Sequence, residues 1–259
     1  MTTETLLLVG RETETAGDVY GTHAERLRRR TSADEVRTLT YDTEPQRELR
    51  GELSELSADR VYAVPMCAAH TRETLDGVPA ALSAVPGEVR YCEPAGASPA
   101  VTEALVDRAA ERVSPEQDAS LALVGFGSGS GPYQRQVADY HAARIRERDG
   151  FGEVLTCYLL ENPAVECVRY NVSGASCVAV PLFLTRTEAT ERTIPAKLDL
   201  DRGGMVYANP LGTHPRVTEA IRAEVEKQRA LAAEGGRASG VETDPTRRSH
   251  PVATDGEGR

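Results

Sequence analysis

Tyr91-Cys-Glu-Pro-Ala-Gly-Ala-Ser-Pro-Ala-Val-Thr-Glu-Ala-Leu105 returns, with substitutions, as Tyr207-Ala-Asn-Pro-Leu-Gly-Thr-His-Pro-Arg-Val-Thr-Glu-Ala-Ile221, 116 residues later. Working outward, Val61-Tyr-Ala-Val-Pro-Met-Cys67 returns as Cys177-Val-Ala-Val-Pro-Leu-Phe183 at the same offset. Leu6–Gly10 returns as Leu121–Gly125 at an offset of 115. Three collinear matches at nearly one offset define an internal duplication. The period is far longer than the roughly 20–50 residues of a solenoid repeat, so the repeated unit is domain-sized.

Each unit reads alike. A short apolar run (Leu6–Val9; Leu121–Val124) ends at Gly, as a strand buried on both faces does. Helical patterns follow at His23–Arg30 and Tyr133–Arg148. Further strands fall at Glu35–Leu39 and Glu153–Leu159, Arg60–Val64 and Cys177–Val180, and Glu88–Cys92 and Met205–Ala208. A last helix starts near Pro99 and near Pro215, where proline suits a first turn. Strands alternating with helices predict an α/β fold: two similar parallel-sheet βαβ domains with helices on both faces of each sheet. The expected boundaries are a first unit over 1–112, a linker over 113–120, a second unit over 121–229, and a disordered tail over 230–259. Ligands on such sheets bind beyond the carboxyl ends of the strands, which points at the loops after Val9, Val64, Cys92, Val124, Val180 and Ala208.

Composition narrows the class. The formal charge is −10, and only two of the 30 basic residues, Lys197 and Lys227, are lysine. Acidic excess with scarce Lys and abundant Arg and Ala is read as salt adaptation, since at molar salt the Debye length falls to ~3 Å and self-repulsion is screened. No basic stripe with interleaved aromatics is present, which argues against nucleic acid. No apolar run approaches the roughly 18–20 residues that span a bilayer, and the first residues lack a signal-peptide pattern; a cytoplasmic protein is expected. Five cysteines without a CxxC pair argue against a disulfide framework or a zinc knuckle.

Gly125-Phe-Gly-Ser-Gly-Ser-Gly131 stands between a strand and a helix but breaks the dinucleotide pattern, because its sixth position is Ser130. A tight turn that can receive an anionic group at the helix start, with Ser128 a candidate contact, is the better reading. His70 and Glu73, with Cys67, are spaced i, i+3, i+6. A helix beginning just after Pro65 would place His70 and Glu73 on neighbouring turns of one face. His23 and His141 fall in helical segments, where surface placement is expected. His214, in Gly-Thr-His-Pro, falls in a strand-end loop expected to face the cleft.

Pro181-Leu-Phe-Leu184 with Ile194-Pro195, Val124-Gly-Phe-Gly-Ser128, Asn209-Pro-Leu-Gly212 and Glu93-Pro-Ala-Gly96 together resemble the strand-end segments of the CbiX/SirB-type sirohydrochlorin cobaltochelatases, over roughly residues 5–226. The resemblance implies a class II chelatase fold in its tandem form, with a cleft between the two units, and insertion of cobalt, or iron or nickel, into sirohydrochlorin for cobalamin or sirohaem synthesis. It further implies a salt-adapted archaeal source. No dissociable cofactor is implied; the metal is a substrate, the tetrapyrrole the partner molecule, and the chain is either a monomer of two pseudo-symmetric units or a homo-oligomer. The family's opening histidine falls on Arg11 and Phe126, and its second, counted from the Pro, on Glu73 and Ala189.

Under that resemblance His70 and Glu73 become the candidate metal ligands and proton acceptors, since imidazole suits cobalt, nickel or iron and can take a pyrrole proton. Arg11, Arg72, Arg186 and Arg192, with Ser128 and His214, become candidates for holding the substrate's carboxylates, because Arg binds carboxylate bidentately. Replacement of the histidines supports an alternative: a catalytically degenerate paralogue that binds tetrapyrrole or metal, or partners an active chelatase.

Overall fold

A computed structural model describes residues 2–116, 118–129 and 131–238. Two four-stranded, all-parallel sheets have the same strand order, β2-β1-β3-β4 and β6-β5-β7-β8. The first comprises β1 (Glu4–Arg11), β2 (Glu35–Tyr41), β3 (Arg60–Pro65) and β4 (Glu88–Tyr91); the second comprises β5 (Ala119–Gly125), β6 (Glu153–Tyr158), β7 (Ser176–Pro181) and β8 (Met205–Tyr207). Four longer helices, α1 (Ala16–Arg28), α2 (Pro99–Ala110), α3 (Tyr133–Arg146) and α4 (Pro215–Ala238), connect or follow them.

The central strands are the apolar runs of the sequence. Along β1, Leu6 and Leu8 face one core while Leu7 and Val9 face another, all at most 1% exposed. The period of two sorts one strand onto two faces. The Leu6/Leu8 face and its counterpart, Leu121 and Leu123 of β5, belong to one continuous apolar core shared by both sheets. The outer faces have separate cores under short helices. The two units therefore fold against each other through a common interior, with α1, α2, α3 and α4 contacting one another inside it.

That interior corrects the expectation for two histidines. His23 on α1 and His141 on α3 are both fully buried. His23 Nε2 lies 3.0 Å from Gly212 O and its Nδ1 2.8 Å from Thr218 Oγ1, both in the other unit. His141 mirrors this, with Nε2 2.8 Å from Gly96 O and Nδ1 2.9 Å from Thr102 Oγ1. A carbonyl can only accept, so Nε2 carries the proton and Nδ1 accepts from the threonine hydroxyl. Burial lowers both histidine pKa values from 6.5 to about 4, against the smaller opposing effect of the carbonyl bond.

Several boundaries also move. Helix α1 starts at Ala16, seven residues before His23, where the first helical pattern was placed; Gly17 and Gly21 weaken the helical signal there. Strand β5 begins at Ala119, inside the expected linker. Of the stretch expected to be disordered, residues 230–238 continue α4, and residues 239–259 lie outside the described residues. No helix among the described residues is long and apolar enough to cross a membrane.

Candidate active site at the strand ends

In each sheet the chain leaves the first strand toward one side and returns through the third on the other, so the crevice opens beyond the carboxyl ends of β1/β3 and β5/β7. The two crevices merge into one cavity of about 680 Å³. Arg11, Glu73, Phe126 and Ala189 all line it. These are the four positions at which the repeated strand-end motifs place equivalent residues of the two units, so the folding of the halves brings the four together.

The local structure that carries them is also duplicated. Tyr20 from α1 packs over Gly10, where a Cβ would meet the Tyr20 hydroxyl at 2.6 Å. Its hydroxyl lies 3.4 Å from Arg11 O and 3.3 Å from Met66 O, tying the ends of β1 and β3 together. Glu73 and Ala189 each open a five-residue π-helical turn, Glu73–Gly77 and Ala189–Thr193. Paired threonines cap both turns: Thr71 N–H donates to Thr74 Oγ1 at 2.8 Å, and Thr187 N–H to Thr190 Oγ1 at 2.9 Å. Such π turns interrupt ordinary helices at functional sites more often than elsewhere.

The cavity wall is acidic. Its lining holds one arginine, Arg11, and the carboxylate residues Glu12, Glu14, Asp42, Glu73 and Glu188. A hydrogen bond from the Thr71 side chain, helped by the Arg11 and Arg72 guanidinium groups, holds the Glu73 carboxyl below the usual range. It is therefore ionised at neutral pH. Burial pushes the Cys67 thiol up to about 12, leaving it protonated. Burial likewise raises the Tyr20 and Tyr41 phenols.

The structure separates His70 from Glu73. Helical structure begins only after Thr71, so His70 precedes it, and the two side chains share no helix face. His70 lines an adjoining hollow of about 330 Å³ with Arg72, Ser128 and Tyr133. Its ring stands 6.3 Å from that of Tyr91 and 6.0 Å from that of Tyr133. Its Nε2 lies 3.5 Å from Glu93 Oε2, and its Nδ1 3.2 Å from Thr74 Oγ1. Thr74 lines the main cavity, so one hydroxyl links His70 to it. No group of three or more His, Cys, Asp or Glu among the described residues is arranged to hold a metal ion.

The remaining expected residues divide. Arg11 is on the cavity, and Arg72 and Ser128 are on the hollow beside it. Arg186 stands exposed between the lining residues Thr185 and Thr187, its guanidinium 3.7 Å from Glu191. Arg192 is exposed on the second π turn. His214 lines neither space: its Nδ1 accepts from Arg216 N–H at 3.3 Å, and its Nε2 faces Asp107 at 3.5 Å. It caps α4 as Ser98, its counterpart, caps α2. Of the four candidate arginines only Arg11 is in the main lining, where it stands with five carboxylates. Glu12, Glu14, Tyr41 and Asp42 were not anticipated, although they lie at the ends of β1 and β2 or within three residues beyond them, where the strand-end rule applies.

Comparisons with known proteins agree with this geometry. The CbiX family model matches the chain twice, over residues 5–112 and 120–228. A probable sirohydrochlorin cobaltochelatase of Halobacterium salinarum is 26% identical, covering 90% of this chain and 92% of that relative. A sirohydrochlorin cobaltochelatase of Methanopyrus kandleri is 29% identical over 39% of this chain and 91% of its own length, so one unit's worth of sequence accounts for nearly all of it. The crystal structure of SirB from Bacillus subtilis with Fe³⁺ superposes with a TM-score of 0.75 at 19% identity, over 90% of this chain and 98% of that one.

Proposed function

The chain belongs to the CbiX family, and from that premise we propose that it is an enzyme inserting a divalent metal, cobalt, into sirohydrochlorin in the cytoplasm, on a route to cobalamin or sirohaem. Cobalt is preferred to iron or nickel because both relatives above are cobaltochelatases by name. The observation that carries the reading is convergence of the four equivalent strand-end positions, Arg11, Glu73, Phe126 and Ala189, on one cavity. Its volume lies within the range of about 300–1,000 Å³ typical of small-molecule sites.

Insertion requires a metal held by exchangeable oxygen or nitrogen ligands and removal of two pyrrole N–H protons. The Glu73 carboxylate, ionised and on the wall, is the metal-approach ligand. The cation sheds water as it passes from carboxylate oxygens to ring nitrogens. The proton acceptor is His70, reached through the Thr74 hydroxyl, with Glu93 beyond it leading to solvent. Arg11, with Arg72 and Arg186 around the opening and Ser128 beside it, holds substrate carboxylates.

A second reading has one observation in its favour: no histidine is among the residues lining the main cavity. A degenerate paralogue would keep the cavity and bind tetrapyrrole without inserting metal. An anaerobic assay at high salt separates the two: sirohydrochlorin and Co²⁺ are mixed with the protein, and absorbance is followed against a no-protein control. A protein-dependent rate that collapses in His70→Ala, with tetrapyrrole binding kept, is expected. Binding without any rate above background would establish the second reading.

A further inference from the structure

The two walls of the cavity are equivalent by position and opposite in chemistry. On the wall from the first unit stand Arg11, Glu12, Glu14, Asp42 and Glu73; the wall from the second contributes one charged residue, Glu188. Where the first wall has Arg11 and Glu73, the second has Phe126 and Ala189. The chain contains three Phe and no Trp, and two of the three, Phe126 and Phe183, stand on this second wall.

Phe126 is 42% exposed, beyond what core packing would leave, and its ring meets that of Phe183 edge to face, with centroids 6.3 Å apart at 74°. The backbone of each is anchored. Phe126 O accepts from Leu159 and Leu160 N–H at 3.1 and 3.0 Å, and Phe183 O accepts from Leu211 N–H at 2.9 Å. Leu182 and Leu184 are buried on either side. An apolar platform on an anchored backbone and left open to a cavity fits a flat, unsaturated ligand, which gains stacking against it.

We propose that the cavity is polarised: the face of the tetrapyrrole macrocycle rests on Phe126, supported by Phe183, and the metal enters from the opposite wall, past Glu73. This rests on the chelatase reading above and adds a division of labour between the two halves. Phe126 is then a substrate-positioning residue, and Glu73 acts on the metal side. The arrangement places the ring between an apolar support and the anionic ligands, so the cation meets the ring nitrogens on the face away from Phe126.

The test uses the full-length protein and two separate probes, metal-free sirohydrochlorin, with binding followed by absorbance, and Co²⁺ alone, followed by calorimetry. Phe126→Ala should weaken sirohydrochlorin binding about tenfold or more, the effect of losing one stacking contact, and leave Co²⁺ binding and the unfolding temperature unchanged. Phe126→Tyr should restore tetrapyrrole binding. Glu73→Gln should do the reverse: Co²⁺ binding and the insertion rate fall, while sirohydrochlorin affinity stays within about twofold of the parent. The wall assignment is overturned if Phe126→Ala binds sirohydrochlorin as the parent does, or if both variants lose the same ligand. If the parent protein itself binds no sirohydrochlorin, the chelatase reading fails and the assignment with it.

Discussion

Acidification from pH 7 toward 5 should weaken this protein through two side chains, His23 and His141. Both are fully buried between the units, and burial lowers their pKa values from 6.5 to about 4. Between those values the unfolded chain binds more protons than the folded one. The neutral imidazoles therefore contribute their full stability above pH 6.5 and lose it as pH falls through about 4. With one pKa unit equal to about 1.4 kcal/mol, each histidine costs about 2 kcal/mol by pH 5 and about 3 kcal/mol by pH 4. Together that is roughly 4 kcal/mol at pH 5, against a total of about 5–15 kcal/mol for an ordinary domain. Most carboxylates titrate below the window between pH 6.5 and 5, and His214, whose pKa burial also lowers, adds a smaller slope of the same sign. The desolvation behind the shift comes from packing, so molar salt will not remove it. Chemical denaturation at half-unit pH steps reads the slope directly: nearly two protons should be taken up on unfolding near pH 5. His23→Gln and His141→Gln, which keep a donor for the glycine carbonyl, should each remove about one. A flat stability profile between pH 7 and 5, or a slope that survives in both variants, would refute the reasoning.

Two further outcomes follow from the charges and thiols. The cavity lining sets one arginine against five carboxylates, and the proposed tetrapyrrole is a polycarboxylate; raising KCl from 0.1 to 1 M shortens the Debye length from ~10 to ~3 Å. Steady-state kinetics should show KM for sirohydrochlorin falling roughly threefold to tenfold while KM for Co²⁺ rises; a KM for sirohydrochlorin that rises with salt would mean net cationic recognition. Among the five cysteines, Cys167 is exposed, whereas burial pushes the Cys67 and Cys157 thiols up to about 12, Cys177 up to about 11, and Cys92 higher still. Iodoacetamide at pH 7.5, under native conditions, should therefore label one site rapidly, identified by mass spectrometry as Cys167; Cys67 lines the cavity but stays protonated, and fast labelling there would overturn its raised pKa.

What was legible in the sequence had a local or periodic cause. The strands could be read because Leu6–Val9 and Leu121–Val124 are buried on both faces, which demands an unbroken apolar run. The cavity's four key positions could be read because the chelatase resemblance marks two strand-end positions in each unit, and the repeat carries both from one unit to the other. What escaped depends on distant partners or on exact winding. His23 meets a partner 195 residues away, so nothing near it in sequence marks it as buried. The pairing of His70 with Glu73 assumed a helix from Pro65. The chain instead starts its helix after Thr71 and winds its first turns as a π helix, so the i, i+3 geometry does not arise. The acidic lining escaped because Glu12 and Glu14 follow β1 in a loop, where no period fixes side-chain direction.

Comparing the two halves shows where duplication leaves freedom and where it does not. At the interface the halves match: His23 with His141, Thr218 with Thr102, and Gly212 with Gly96 make the same bonds in mirrored order. Each bond satisfies a fully buried polar atom, and losing one partner strands the other at about 1–3 kcal/mol. A change on one side must be answered on the opposite side. In the cavity the halves differ at both key positions, Arg11 against Phe126 and Glu73 against Ala189. Those side chains face open space, so neither constrains its counterpart. Two separate copies of one unit would have to present identical walls to a ligand lying between them. Fusion into one chain removes that requirement and permits an apolar wall to face a charged one, while the symmetric interface holds the distance between them.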